Sequence, residues 1–229
     1  MDCVLWVWII PFTLIYRHLW VMQVKFCGLQ NKLDVALAAS LQCDAVGFVM
    51  VPDSRRAVGL ELARELTQFT RQFDLTSVIL VADADSHTVD QIVNQCQPDI
   101  IQFHGHESAT FCQQFEVPYW KAVPMLTVQD WPRYIESYHL AQRFVLDTYG
   151  NGKSGGSGRS FSWFRFPPEH ISRLILAGGL TVDNLAEAVS VTGAEFIDVS
   201  SGIEKTPGVK SQTLMQQFMQ AVNNNALKS

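Results

Sequence analysis

From Gln23 onward, short apolar runs alternate with stretches in which apolar residues recur every three or four positions. The apolar runs cover 23–26, 45–50, 77–82, 99–103, 119–123, 143–147, 173–177 and 195–199. Runs this short and this apolar predict strands buried on both faces, as in a parallel sheet. The amphipathic stretches predict helices over 31–41, 60–72, 86–95, 108–115, 127–137, 182–191 and 211–223. The unit recurs about every 25 residues, eight times in all, which favours a closed barrel over an open doubly wound sheet. The expected fold class is therefore α/β: one (β/α)8 TIM barrel over residues 23–229, with a parallel, closed, eight-stranded sheet. The rule lapses between the sixth and seventh runs. Gly150, Gly152, Gly155, Gly156 and Gly158 predict a mobile loop there in place of most of a helix.

Residues 1–22 do not follow the pattern. An apolar stretch from Val4 to Tyr16 has the length of a signal-sequence core but is short for a membrane span. Asp2 stands before it instead of a basic residue, and Pro11, Arg17 and His18 interrupt a clean span. A mis-assigned start with Met22 as the initiator, a membrane anchor and an ordered accessory segment all remain open. The first is favoured, so the segment is expected to lie outside the fold.

Composition narrows the function. A net charge of −5 without a Lys/Arg cluster speaks against a nucleic-acid partner. The five cysteines have no CxxC spacing, which speaks against disulfides and a zinc site and suits a reducing cytoplasm. His104 and His106 form a loop pair without a third ligand in view, so no metal is expected.

In a barrel of this kind, catalytic groups sit at the C-terminal ends of strands. Reading those ends in order places Cys27, the Arg55–Arg56 pair, His104, Lys121, Asp147 and Asp198 on one rim. Two glycine-rich segments follow the last two strands, at Gly178-Gly179 and Ser200-Ser201-Gly202. Successive loops of that type present backbone N–H groups to an anion, and serine adds a hydroxyl. A phosphorylated small molecule is the expected substrate. Read singly, each residue has a plainer role. Cys27 would be a small buried hydrophobe, Asp147 a cap or loop ion pair, Arg55 a solvated charge, and His104 or Asp198 a bonded rim residue.

The motifs KFCGLQN at 25–31, DAVGFVMVPDSRR at 44–56, IQFHGHE at 101–107, LDT at 146–148, GGSGRSFSW at 155–163, LAGGLTVDN at 176–184 and IDVSSGIEKTPGVK at 197–210 change the picture when taken together. In this order the chain resembles the phosphoribosylanthranilate isomerase family of tryptophan biosynthesis, over about residues 23 to 222. Ala57, Arg159 and Ser162 depart from the family pattern without removing an acid, a base or a phosphate donor. The resemblance implies an Amadori rearrangement of N-(5′-phosphoribosyl)anthranilate without a cofactor, in a cytoplasmic monomer or homodimer. It aligns Cys27 with the general base, Asp147 with the general acid and Arg56 with the arginine that positions the anthranilate carboxylate. His104 and Asp198 would complete the substrate pocket.

Two electrostatic expectations follow from these roles. Positive charge nearby, with Lys25 close in sequence, would lower the Cys27 pKa below its ordinary value of about 8.5. Asp147 would have to hold a proton near neutrality, which burial against apolar neighbours would favour. Two readings compete with the isomerase: a related barrel enzyme on another phosphorylated metabolite, and a non-catalytic sugar-phosphate sensor. For the N-terminal segment, a chain beginning at Met22 is expected to melt at the same temperature and turn over at the same rate as the full chain. A loss of many degrees or of activity would make residues 1–21 an integral part of the fold.

Overall fold

A computed structural model describes residues 22–148, 163, 166 and 171–226. The N-terminal stretch at 1–21, the glycine-rich loop with Arg159 and Ser162, and the last three residues lie outside the described residues.

Eight parallel strands close a barrel in chain order. They are β1 (Gln23–Cys27), β2 (Ala45–Val49), β3 (Thr76–Val81), β4 (Ile100–Phe103), β5 (Tyr119–Pro124), β6 (Arg143–Asp147), β7 (Leu174–Leu176) and β8 (Phe196–Val199). Each begins and ends within one residue of the apolar run that predicts it. The helices are α1 (Lys32–Ser40), α2 (Leu60–Thr70), α3 (Ser86–Cys96), α4 (Ala109–Cys112), α5 (Trp131–Glu136), α6 (Leu185–Thr192) and α7 (Gln212–Ala226). Their starts follow local chemistry. Asn31 accepts the Asp34 N–H at 2.9 Å, and Asp85 accepts the Thr88 N–H at 2.7 Å. The helix expected over 108–115 shortens to one turn, α4. A hairpin that the hydrophobic pattern does not predict follows β8: β9 (Glu204–Thr206) pairs antiparallel with β10 (Val209–Lys210).

Alternation along the strands divides the core. Val24 and Phe26 of β1 join the apolar layer between sheet and helices, whereas Lys25 and Cys27 point into the barrel. The lower interior is an apolar plug in which Trp120 meets Phe196 edge to face at 5.6 Å, among Val78, Val145 and Ile175. Lys25, Gln102 and Asp198 form the polar interior, and above them the barrel opens.

Lys121 does not join that opening. It is fully buried, and its Nζ donates to the Gly105 carbonyl at 2.6 Å and to Glu107 Oε2 at 3.1 Å. Glu107 in turn accepts the N–H groups of Asp83 and Gly105, which ties the loops after β3 and β4 together. The rim position read from the sequence is thus a structural staple. Lys121→Met would leave the Glu107 carboxylate buried without its cation, at a cost of about 3–5 kcal/mol. Urea unfolding is expected to register that loss while the cavity at the barrel mouth keeps its ligand affinity.

Candidate active site

A cavity of about 840 Å³, counted out to its open mouth, lies over the C-terminal ends of the strands. Cys27, Arg56, His104, Asp147 and Asp198 all line it, as do Gly178, Gly179, Ser200 and Ser201. The sequence-derived residues therefore converge on one site, with Gly202 the exception. A Cβ on Gly202 would run into the Leu180 carbonyl, so this glycine lets the loops after β7 and β8 pack together and does not face the cavity.

At the β1 side, Lys25 is fully buried and donates to Asp198 Oδ2 at 2.7 Å and Gln102 Oε1 at 2.9 Å. Gly47 of β2 leaves room for this arrangement. A Cβ there would lie 2.9 Å from the Cys27 sulfur and 3.0 Å from Lys25 Cε. The expected lowering of the Cys27 pKa does not occur. Burial pushes the thiol up, and the Asp198 carboxylate adds to that effect. The positive charges of Lys25 and Lys210 oppose it without prevailing. Lys25 itself lies above its ordinary value. Burial acts downward on it but is outweighed by Asp198 and Cys27. Asp198 Oδ1 is buried and has no hydrogen-bond partner among the described residues. Because Asp198 lines the cavity, that oxygen is an acceptor available to a ligand.

At the β6 side the second electrostatic expectation also fails. Burial acts to raise the Asp147 pKa, as anticipated, but the hydrogen bond from His104, the charge of that ring when it is protonated, and the Thr148 N–H bring it below the ordinary carboxylate value. His104 Nε2 lies 3.3 Å from Asp147 Oδ2, and the Thr148 N–H donates to Oδ1 at 2.6 Å. Asp147 is thus a carboxylate at neutral pH.

Arg56 hangs over Gly28 and is locked by Glu204, with Nε to Oε1 at 2.6 Å and Nη2 to Oε2 at 2.8 Å. Guanidinium carries five N–H groups, and this fork uses two of them. The far edge, with both Nη1 hydrogens and one on Nη2, remains able to grip a carboxylate end-on. Lys210 Nζ holds Glu204 Oε1 at 2.8 Å from the other side. Burial raises the Glu204 pKa, but Arg56 and Lys210 more than offset it and hold the carboxyl below its usual range. Arg55, by contrast, is exposed.

The two glycine-rich loops have the turn geometry their composition suggests, with one change. Gly178 and Gly179 have φ of +84° and +72°, which glycine adopts without strain. A Cβ on Gly178 would also collide with the Thr148 backbone nitrogen at 2.7 Å. Ser200 differs from its expected role, because its hydroxyl donates to the Cys27 carbonyl at 3.0 Å and receives Lys210 at 3.3 Å. It ties β8 to β1, so the hydroxyl is engaged within the protein. The turn at Ser201–Ile203 begins at this point, so its first N–H groups have no partner within the turn.

Sequence reasoning overlooked Gln102, Glu204 and Lys210. The signal for Gln102 was a polar residue inside the apolar run IIQF at an inward position. Glu204 and Lys210 lie in the quoted IDVSSGIEKTPGVK segment, but their partners cannot be read from adjacency.

A family model described as N-(5′phosphoribosyl)anthranilate (PRA) isomerase matches residues 24–221. The N-(5′-phosphoribosyl)anthranilate isomerase of Acidithiobacillus ferrooxidans is 39% identical over 201 residues, covering 88% of this chain and 97% of that protein. The crystal structure of phosphoribosyl anthranilate isomerase from Thermotoga maritima aligns with a TM-score of 0.78 at 27% identity, covering 89% and 99% of the two chains. Another isomerase structure, in complex with reduced 1-(o-carboxyphenylamino)-1-deoxyribulose 5-phosphate, aligns with a TM-score of 0.75 at 26% identity, covering 89% and 99%. Fold, cavity and sequence agree, and the chain belongs to the phosphoribosylanthranilate isomerase family.

Proposed function

We propose that this protein converts N-(5′-phosphoribosyl)anthranilate to 1-(2-carboxyphenylamino)-1-deoxyribulose 5-phosphate, a step of tryptophan biosynthesis. The observation that carries the reading is that Cys27 and Asp147 line one cavity with two glycine-turn loops and Arg56. The phosphate rests on the backbone at Gly178, Gly179 and Ser201, and the far edge of Arg56 takes the anthranilate carboxylate. Asp147 delivers a proton to the ribose ring oxygen. The bond from C1′ to that oxygen breaks as the anthranilate nitrogen lone pair forms the Schiff base. Cys27 then takes the C2′ proton, and the electron pair closes to the enolamine. Protonation at C1′, with loss of the proton on the C2′ enol oxygen, gives the aminoketose. Hydrogen moves within one molecule, so no redox partner is consumed. Asp198 Oδ1 accepts a hydrogen bond from a ribose hydroxyl or the anthranilate amine.

Among the described residues, no helix is long and apolar enough to cross a membrane. The free thiols at Cys27, Cys43, Cys96 and Cys112 support a reducing, cytoplasmic setting.

The test is fluorescence-monitored consumption of freshly prepared phosphoribosylanthranilate. Cys27→Ser is expected to lose about 10²–10⁴ in rate, since an alkoxide is far harder to form than a thiolate. Asp147→Asn should show the same collapse in kcat with little change in analogue affinity. Phosphate binding without turnover in the wild type would favour the sensor reading.

The pKa directions make a second prediction. With Cys27 raised and Asp147 lowered, the prevailing form at neutral pH is thiol plus carboxylate. The reactive form, thiolate plus carboxylic acid, carries the same number of protons. Its fraction is therefore constant between the two pKa values and falls only outside them. kcat/KM is expected to be flat from about pH 5 to about pH 8, the window between ordinary Asp and Cys values, and to decline above the Cys27 pKa. A profile that climbs steadily through pH 7 would contradict these protonation states.

A further inference from the structure

The polar floor of the cavity contains a continuous chain of hydrogen bonds whose direction is determined by chemistry. Lys25 on β1 donates to Gln102 Oε1 at 2.9 Å. Gln102 Nε2 lies 2.9 Å from His104 Nδ1. His104 Nε2 lies 3.3 Å from Asp147 Oδ2. An ammonium has no acceptor, so the Gln102 atom facing Lys25 must be the oxygen. The amide nitrogen, a donor only, is then turned to His104. It follows that Nδ1 of that ring accepts, that its proton sits on Nε2, and that Nε2–H donates to Asp147.

We propose that Gln102 is a positioning residue that locks His104 in the neutral Nε2–H tautomer, and through it sets how firmly Asp147 is held as a carboxylate. The inference rests on the acid role proposed for Asp147. Gln102 lines the floor of the cavity beneath the binding loops and is fully buried. Its lysine neighbour cannot release it, because Lys25 is itself clamped by Asp198 at 2.7 Å. A neutral donor and an imidazolium act differently on Asp147. Both favour the carboxylate, but the charged ring favours it far more, and would starve the reaction of carboxylic acid. The lock on Nδ1 opposes that second proton, because an N–H there would meet the Gln102 amide hydrogens. The other titratable and charged groups facing this end of the barrel are Asp147 on β6, Lys25 and Cys27 on β1, Asp198 on β8, Arg56 after β2 and Lys210 on β10. Thus a single neutral amide joins the base side of the cavity to its acid side.

The test combines imidazole ¹⁵N NMR with kinetics on the full chain. The His104 signals are assigned by their loss in His104→Gln. In the wild type, Nε2 is expected to be protonated and Nδ1 bare at neutral pH. Gln102→Glu retains an acceptor for Lys25 but presents a second acceptor to Nδ1. The ring should then become an imidazolium that persists about one pH unit or more higher, and kcat should fall about tenfold with KM little changed. Gln102→Leu removes the lock, and a mixture of tautomers should appear. A wild-type ring protonated at Nδ1 at neutral pH would overturn the proposal. So would a Gln102→Leu protein whose tautomer and pH profile match the wild type. The wild-type spectrum needs no variant to fold and no turnover. An Nε2–H ring in a protein inactive on phosphoribosylanthranilate would retain the lock and reject the isomerase reading.

Discussion

The buried pair of Lys25 and Asp198 sits where the barrel closes. β1 and β8 are partnered with Lys25 opposite Asp198, and the side chains meet at 2.7 Å inside the barrel. Burying two charges costs several kcal/mol per ion before their attraction is counted, so such a pair persists only with further hydrogen bonds. Gln102 supplies one of these, and Cys27 lies within the reach of the same ammonium. The pair marks the level at which the interior changes from the apolar plug below to the reactive cavity above. Gln102 takes its orientation from this seam, and Cys27 feels the charge of both its members.

That arrangement decides protonation as well as position. A thiol in a dry interior beside a carboxylate keeps its proton even with a lysine adjacent, because the lysine's charge is already neutralised by Asp198. At the other side, a carboxylate that accepts from His104 and Thr148 loses its proton despite burial. In the roles proposed above, base and acid each rest in the state opposite to the one the reaction uses, and the proposed reactive form is a minor species whose population does not depend on pH across the neutral range.

The substrate end is held by a separate set of contacts. The hairpin after β8 delivers Glu204 and Lys210 as a wedge behind Arg56, and Ser200 ties the same loop to β1. The guanidinium is thereby oriented before any ligand arrives, which reduces the ordering cost on binding. Gly202 against Leu180 draws the last two strand loops together, so Gly178, Gly179 and Ser201 line one cavity.

The sequence by itself determined the barrel. Strands buried on both faces must be short apolar runs, so all eight were legible to within a residue. It also determined which residues reach the rim, since strand ends are local features; Cys27, Asp147 and the glycine turns fell where the pattern put them, with Gly202 turned to Leu180 instead of the cavity. The exceptions were short-range as well. Lys121 faces outward by alternation, and α4 is cut to one turn. Only the tertiary structure decided the charge states and the alignment of the groups. Lys25 meets Gln102 across 77 positions and Asp198 across 173, and Arg56 meets Glu204 across 148. A pKa or a tautomer depends on the field of such neighbours and on the water they exclude. Neither is a property of adjacency along the chain, and both came into being only when the barrel closed.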